Sequence, residues 1–486
     1  MEESRDHLWD RISDVISPED EPESPELLEK LEELTETDQL EDLLENKQYA
    51  KLRELLSEME AADIYALLED MDERQQSIAF RLLPKELAAE VFVEMDGEVQ
   101  EMLIRGFSDT ELREVLGELY LDDTVDIIEE MPATVVKRIL RQSDPESRRA
   151  INELLKYPED SAGSIMTPEY VDLRAKMTAG EAFKRIRRIG YDRETIYICY
   201  VTDEQRHLLG LVSVRTLLLA DEDDRIEDIM DDDVISVDTL TDQEEVANML
   251  SRYDFLAIPV VDAENRLVGI VTVDDAIDVM EAETTEDIEK MAAILPSDKP
   301  YLRTNPVDTW KSRIPWLMIL MLSATFTGMI ISHFESALAA CIILSSYIPM
   351  LSGTGGNSGT QASTAVIRAL SLGEVEFSDL ARVIWKEMRV GVLCGITLAA
   401  ANFLKMLIFD HLIAGNPDVT FTVALVVSLT LIFVVFTAKF VGSMLPLLAK
   451  KLGFDPAVMA SPFISTIVDA LSLLIYFRLA NLLLHL

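Results

Sequence analysis

The sequence predicts a multidomain chain. It has an all-α superhelical N-terminal domain, an α/β middle built from two copies of one unit, and an α-helical membrane domain with five spans. Three observations predict this. The formal net charge is −45 over 486 residues, yet nearly all of the acidity precedes Trp310. From about Trp316 onward the chain is nearly continuous apolar helix. Between these regions one pattern of strands and helices occurs twice. A single core rarely grows past about 250–300 residues, so several domains are expected.

Residues 1–26 are polar and acidic, with Pro18, Pro22 and Pro25, and read as a tail. Met1 to Asp10 holds no apolar run, so no signal peptide is expected. Across residues 27–158, Leu and Ile recur at three- and four-residue spacing. Turn signals such as Leu83-Pro84, Asp96-Gly97 and Met131-Pro132 cut this pattern into short amphipathic helices. Such a string predicts a helical-repeat superhelix with a degenerate period. The helices are too short and interrupted for a coiled coil.

The middle spans residues 159–226 and 227–283. Gly163-Ser-Ile165-Met166 is echoed by Glu227-Asp-Ile229-Met230. The apolar strand Ile196 to Asp203 is echoed by Leu256 to Asp262, and Leu208 to Arg215 by Leu267 to Asp274. Helices Thr216–Leu219 and Asp275–Met280 close the two units. Two such units in tandem resemble a pair of cystathionine-β-synthase-type (CBS) domains. Residues 284–312 read as a charged helical connector with a break at Pro296.

The membrane domain, residues 313–486, divides into spans at about 313–333, 337–370, 385–410, 420–448 and 457–484. A Gly-rich run, Ser352 to Gln361, is expected to break the second. Lys311, Arg313, Arg382, Lys386, Arg389, Lys450 and Lys451 fall on one side, whereas the loops around 333–336 and 410–420 carry no Lys or Arg. The positive-inside rule then places the N-terminus in the cytosol and the C-terminus outside. Cys199, Cys341 and Cys394 have no zinc or disulfide spacing, which fits a reducing cytoplasm. The acidic front would repel nucleic-acid phosphates, so cations are the expected partners.

Three constellations carry chemistry. Asp469 sits within the final span, where an acid costs roughly 2.5–3.5 kcal/mol. Ser461, Ser465 and Asp469 share one helical face. That face can line an ion path, or Asp469 can serve as hydrogen-bonding glue between helices. In the second span, Gly353, Gly355, Gly356 and Gly359 are expected to leave backbone carbonyls free, beside Asn357 and Gln361. A helix packed tightly through its glycines is the alternative. A phosphate loop is excluded, since no Lys-Ser/Thr follows the glycines. A divalent ion wants about six oxygens, so one Asp is too few. In a dimer, two copies of Asp469 would converge on a hydrated ion. The third constellation is acidic and soluble: Asp242, Glu244, Asp254 and Asp275 in the second unit, Glu283, Glu286 and Asp287 at the connector, and Glu90, Asp122 and Asp126 in front. Each alone reads as a solvated charge. Together they repel, and divalent cations would bridge them.

These residues resemble the MgtE-family magnesium channels from about Glu60 to Leu486. The resemblance rests on Pro158-Glu-Asp-Ser-Ala-Gly163-Ser-Ile-Met166, both CBS units, Pro349 to Gln361 with its Gly-Gly-Asn-x-Gly-x-Gln run, and Gly453-Phe-Asp455-Pro-Ala457. It implies a multi-pass homodimer of the bacterial inner membrane, surrounded by lipid, that passes Mg2+ inward and closes when cytosolic Mg2+ rises. It places Asp469 at the pore carboxylate and Asp455 at the cytosolic-loop acid that meets the connector, or plug, helix. Glu90, Asp122 and Asp126 fall on front-domain acids that share Mg2+ with Asp242, Glu244, Asp254 and Asp275. Glu283, Glu286 and Asp287 fall on the plug helix. Nucleotide-binding members carry an aromatic and an Asp where this chain has Ile198 and Thr216, so tight ATP binding is not expected. Ser461 stands where relatives can carry Asn.

A membrane enzyme is disfavoured by the lack of an intramembrane His–Glu motif, a Ser–His pairing or a nucleotide loop. A dead-pore scaffold is disfavoured by the retained Asp469 and glycine run. A proton- or sodium-coupled exchanger stays open beside the channel.

Overall fold

The computed structural model describes residues 40, 43–44, 46–69, 71–297, 301, 304–459 and 461–485. The expected acidic tail lies outside them. The chain forms two compact units, Met1–Ala276 and Ile277–Leu486.

In the first unit, short helices follow one another: α1 (Tyr49–Leu56), α2 (Ala61–Glu69), α3 (Glu73–Phe80), α4 (Lys85–Val93), α5 (Gly97–Gly106), α6 (Asp109–Leu116), α7 (Leu121–Glu130), α8 (Ala133–Gln142) and α9 (Pro145–Leu154). Their starts are written in local chemistry. Asp72 with Gln75 and Ser108 with Glu111 form reciprocal capping boxes at α3 and α6. Asp144 caps α9, and Pro145 takes its first position. Packing skips a neighbour. The helices α2, α4, α6 and α8 form one row, and α3, α5, α7 and α9 form another. That is the superhelix the turn spacing predicts. Phe80, Phe92 and Phe107 fill its middle with ring centroids 5.6–6.3 Å apart.

The two CBS units follow. The first comprises β1 (Val171–Arg174), α10 (Ala179–Ile189), β2 (Ile198–Thr202), β3 (Leu208–Ser213) and α11 (Val214–Leu219). A short α12 (Ile226–Ile229) leads to the second: β4 (Val237–Asp238), α13 (Gln243–Tyr253), β5 (Ala257–Val261), β6 (Leu267–Thr272) and α14 (Val273–Met291). The sheets are copies of each other: β1 is parallel to β2 and β2 antiparallel to β3, as β4 is to β5 and β5 to β6. Gly210 and Gly269 occupy matching places. A Cβ on Gly210 would meet the Asp231 carbonyl at 2.7 Å, and one on Gly269 the Thr167 carbonyl at 2.9 Å. The closing helix of the second copy does not stop at Met280. It continues unbroken to Met291, so the start of the connector is the same helix.

The second unit holds α15 (Pro306–His333), α16 (Glu335–Ala340), α17 (Ile348–Ser371), α18 (Leu380–Lys405), α19 (Phe421–Leu452) and α20 (Ser461–Leu484). A 3-10 stretch, Ile342–Tyr347, precedes α17, and a π-helical stretch, Met406–Ile413, follows α18. The interior packs Leu344, Tyr347, Leu351, Leu431, Tyr476 and Phe477.

One expectation needs correction. The second span is not broken at its glycines. Gly353, Gly355, Gly356 and Gly359 lie inside the continuous helix α17, so they release no backbone carbonyls, and the irregular stretch comes before Ile348. Glycine weakens a helix in water. In a membrane no solvent competes for its carbonyls, so the helix persists. Among the described residues, four segments are long and apolar enough to cross a membrane: Pro306–His333, Phe377–Ile413, Phe421–Leu452 and Pro462–Leu484. The glycine helix α17 is not one of them, because Gly, Ser, Thr, Asn and Gln replace apolar side chains along it.

Candidate ion pathway and cytosolic acid clusters

The polar face of α20 lies against the glycines of α17. A Cβ on Gly356 would meet the Ser465 hydroxyl at 3.1 Å, and one on Gly355 the Ser472 hydroxyl at 2.9 Å. A Cβ on Gly359 would meet Ile464 at 2.8 Å. These three glycines are buried and make a close helix–helix seam. Gly353, Asn357 and Gln361 stand on another face of α17 and are exposed. The expected pore-lining group is thus divided between two faces. Asp469 is half-buried, and its carboxylate accepts a hydrogen bond from the Ser352 side chain of α17. Ser461 opens α20, and its side chain lies outside the described residues.

Sequence reasoning missed a pair of intramembrane charges. Glu387 on α18 and Lys439 on α19 are 9% and 5% exposed, with the ammonium 3.7 Å from the carboxylate. The signal was the one that exposed Asp469, a charge inside an apolar span.

On α14, Lys290 pairs with Glu286 at 2.5 Å and with Asp455 at 2.7 Å. The other Asp455 oxygen accepts from the Ala457 amide at 2.7 Å. Asp287 accepts from the Ser371 hydroxyl at 3.2 Å. Burial, followed by the Asp455 charge, pushes the Asp287 carboxyl up. The connector therefore meets Asp455 through Lys290. A lysine that sequence reasoning missed sits between the acids.

In the first unit, α7 brings Asp122 and Asp126 into the field of Asp275, which opens α14. Asp122 is 7% exposed, and its Oδ1 has no hydrogen-bond partner. Burial raises its carboxyl well above the usual range, and the Asp275 and Asp123 charges add to this. The same two causes, burial and then Asp275, push Asp123 to about 6 and Glu194 to about 8. Glu194 and Glu169 lie in the first CBS unit and escaped sequence reasoning. Glu169 accepts the Leu121 amide at the start of α7 at 3.0 Å. The other expected acids serve local roles. Asp275 accepts the Thr272 hydroxyl at 2.5 Å. Asp242 caps α13 through the Glu244 amide at 3.0 Å. Asp254 ends α13 in the left-handed region, at φ 54°. Glu90 is exposed on α4, and Glu283 lies within α14. Among the described residues, no three His, Cys, Asp or Glu side chains stand close enough to form a ready-made metal cage. Any ion here would be shared loosely between carboxylates, in keeping with weak affinity.

In the first CBS unit an open cleft is lined by Ser213, Thr216, Leu219, Ala220 and Asp224, among others. The Ser213 and Thr216 hydroxyls are 2.9 Å apart.

Comparison with known proteins assigns each region of the chain to a family. Residues 59–160 match the MgtE intracellular N domain, 162–223 and 226–282 match CBS domains, and 348–479 match the MgtE divalent cation transporter family. The magnesium transporter MgtE of Thermus thermophilus is 42% identical over 450 residues, covering 92% of this chain and 98% of the relative. That of Bacillus subtilis is 35% identical over 423 residues, covering 85% and 90%. A crystal structure of the cytosolic domain of the Mg2+ channel MgtE in complex with ATP shares 42% identity and covers 50% of this chain and 99% of its own, with a TM-score of 0.48. With relatives this similar along nearly the whole length of the chain, the protein belongs to the MgtE family of magnesium transporters and is not an enzyme.

Proposed function

We propose that this chain is a magnesium channel that passes Mg2+ into the cytosol and is closed by cytosolic Mg2+. The observation that carries the reading is Asp469, a carboxylate at membrane depth on the face of α20 that meets the glycine seam of α17. One carboxylate cannot strip a divalent ion of its water, so the ion passes hydrated, held by Asp469 from each of two subunits of a homodimer. Five spans, with α17 among them, put the N-terminus in the cytosol and the C-terminus outside, in the inner membrane of a bacterium.

Closure is a linkage effect. Asp122, Asp126 and Glu90 repel Asp242, Glu244, Asp254 and Asp275 until Mg2+ bridges them. Around the connector, Glu283, Glu286, Asp287 and Asp455 take Mg2+ beside Lys290, which itself pairs with Glu286 and Asp455. An ion that binds the closed arrangement at extra sites favours it. Moving the population from mostly open to mostly closed takes about 5 kcal/mol of differential binding, which several weak sites supply and one does not. The first CBS unit does not hold ATP tightly, because Thr216 offers the ribose no charged acceptor.

The test is Mg2+ flux into proteoliposomes under a clamped voltage, with and without a pH or sodium gradient. Flux that follows voltage and the Mg2+ gradient alone supports the channel. Flux that requires the second gradient replaces it with a coupled exchanger.

A further inference from the structure

The buried faces of α18 and α19 form a seam with a polar clasp at each end. Along α18, Glu387, Gly391, Gly395, Ala399 and Asn402 are the buried residues, nearly all at four-residue spacing. Opposite them on α19 stand Lys439, Phe436, Ile432 and Ser428. A Cβ on Gly391 would touch the Lys439 stem and the Phe436 backbone at 3.4 Å, and one on Gly395 the Ile432 backbone at 3.2 Å. At one end the Asn402 amide reaches the Ser428 hydroxyl at 3.4 Å. At the other, Lys439 faces Glu387.

The opposite face of α19 holds the glycine helix. Gly355 of α17 packs on Val434, Gly359 packs near the Ala438 carbonyl, and a Cβ on Gly442 would strike the Gly359 carbonyl. Lys439 lies between Ala438 and Gly442 in sequence but points to the other side. A rotation of α19 that released Lys439 from Glu387 would therefore also move the surface on which α17 is seated, and α17 carries Ser352, the hydrogen-bond donor to Asp469.

We infer that Lys439 and Glu387 are positioning residues for transport. Their opposite charges fix the rotation of α19, and α19 in turn seats the glycine helix against the Asp469 face. The inference rests on transport through the Asp469 face, but its signature is a pattern among variants. Breaking a buried ion pair strands one charge in a low-dielectric interior, whereas removing both charges strands none.

The experiment compares Lys439→Met, Glu387→Gln, the double neutral variant and the exchanged pair Lys439→Glu with Glu387→Lys. Each is purified from membranes, assayed for assembly and reconstituted for Mg2+ uptake, with wild type reporting transport itself. Each single variant is expected to lose at least about ten-fold in uptake per assembled protein, or to fail to assemble. The double neutral variant strands no charge and is expected to assemble, but with no attraction to fix the rotation of α19 its uptake should stay at least about ten-fold below wild type. The exchanged pair restores the attraction and is expected to recover uptake to within about three-fold of wild type, a loss of well under 1.4 kcal/mol. Wild-type uptake from either single variant, or from the double neutral variant, overturns the inference. So does an exchanged pair as impaired as Lys439→Met, which would assign the lysine a role of its own. Failure of wild-type protein to move Mg2+ overturns the transport reading instead.

Discussion

The acids singled out in the two units are handled in opposite ways. In the second unit several carboxylates have a fixed partner: Glu387 has Lys439, Glu286 and Asp455 share Lys290, and Asp469 has the Ser352 hydroxyl. In the first unit Asp122, Asp123 and Glu194 face Asp275, another acid, and Asp122 leaves an oxygen unpaired. Partnered charges in a low-dielectric setting fix geometry. Crowded acids without a cation store repulsion that any arriving cation relieves. The partnered acids of the second unit thus hold a shape, and the crowded acids of the first store repulsion.

The largest effect should come from the intramembrane acid. Asp469→Ala is expected to abolish Mg2+ uptake in proteoliposomes while dimer assembly, read by cross-linking, is unchanged. Wild-type flux from the assembled variant would place the ion path elsewhere. Next in size is the soluble cluster. Replacing Asp122, Asp126 and Asp275 together by Asn removes both the repulsion and the ligands. The shift in the open–closed balance that Mg2+ produces should then shrink by roughly ten-fold, equivalent to about 1.4 kcal/mol of lost linkage, and the closing curve should flatten. Patch-clamp recording against cytosolic Mg2+ reads it, and an unchanged closing curve assigns sensing to other residues. A smaller change is expected from Lys290→Met, which removes the cation already lodged between Glu286 and Asp455. Cross-linking between engineered cysteines on the connector and the loop before α20 should weaken at zero Mg2+ and recover when Mg2+ is added. Equal cross-linking in wild type and variant at zero Mg2+ denies Lys290 that role.

The same contrast decides what could be read from sequence. The superhelix was legible because Asp-, Ser- and Pro-marked turns and three- and four-residue spacing are local signals. The CBS pair was legible because the pattern is written twice. Asp469 stood out because an acid in an apolar run is rare. Glu387 and Lys439 carried that signal too, but Glu387 lies beside Lys386 and merged with the basic end of its span. Lys290 and Glu194 could not be found, because what makes them matter is the long-range approach of Asp455 to one and of Asp275 to the other. The helical glycine run was misread for a physical reason. Glycine breaks helices where water can take its carbonyls, and here it lets α17 pack closely on Ser465, Ile464 and Val434.

The smallest predicted effect concerns protons in the first unit. Burial and the Asp275 charge place Asp123 near 6 and Glu194 near 8, above their ordinary values of 3.8 and 4.5. The folded form therefore binds protons more tightly than the unfolded chain. Stability slopes with pH as the difference in bound protons, so it falls as pH rises from about 4 to about 8 and levels off above. Low pH is the stabilising side, the reverse of a salt-bridged carboxylate. An Mg2+ ion that bridges these acids would compete with those protons for the same oxygens. Its addition should raise the unfolding temperature more at pH 8 than at pH 5, and should flatten the decline between them. Thermal unfolding of the full-length protein in detergent, at pH 5 to 8 with chelator or with millimolar Mg2+, measures both. Glu194→Gln removes one of the strongly displaced groups and should lessen the decline without Mg2+. A stability that rises from pH 5 to pH 8 in chelator, or a Glu194→Gln profile parallel to wild type, would mean that these acids are compensated in the folded protein and store no repulsion for an ion to relieve.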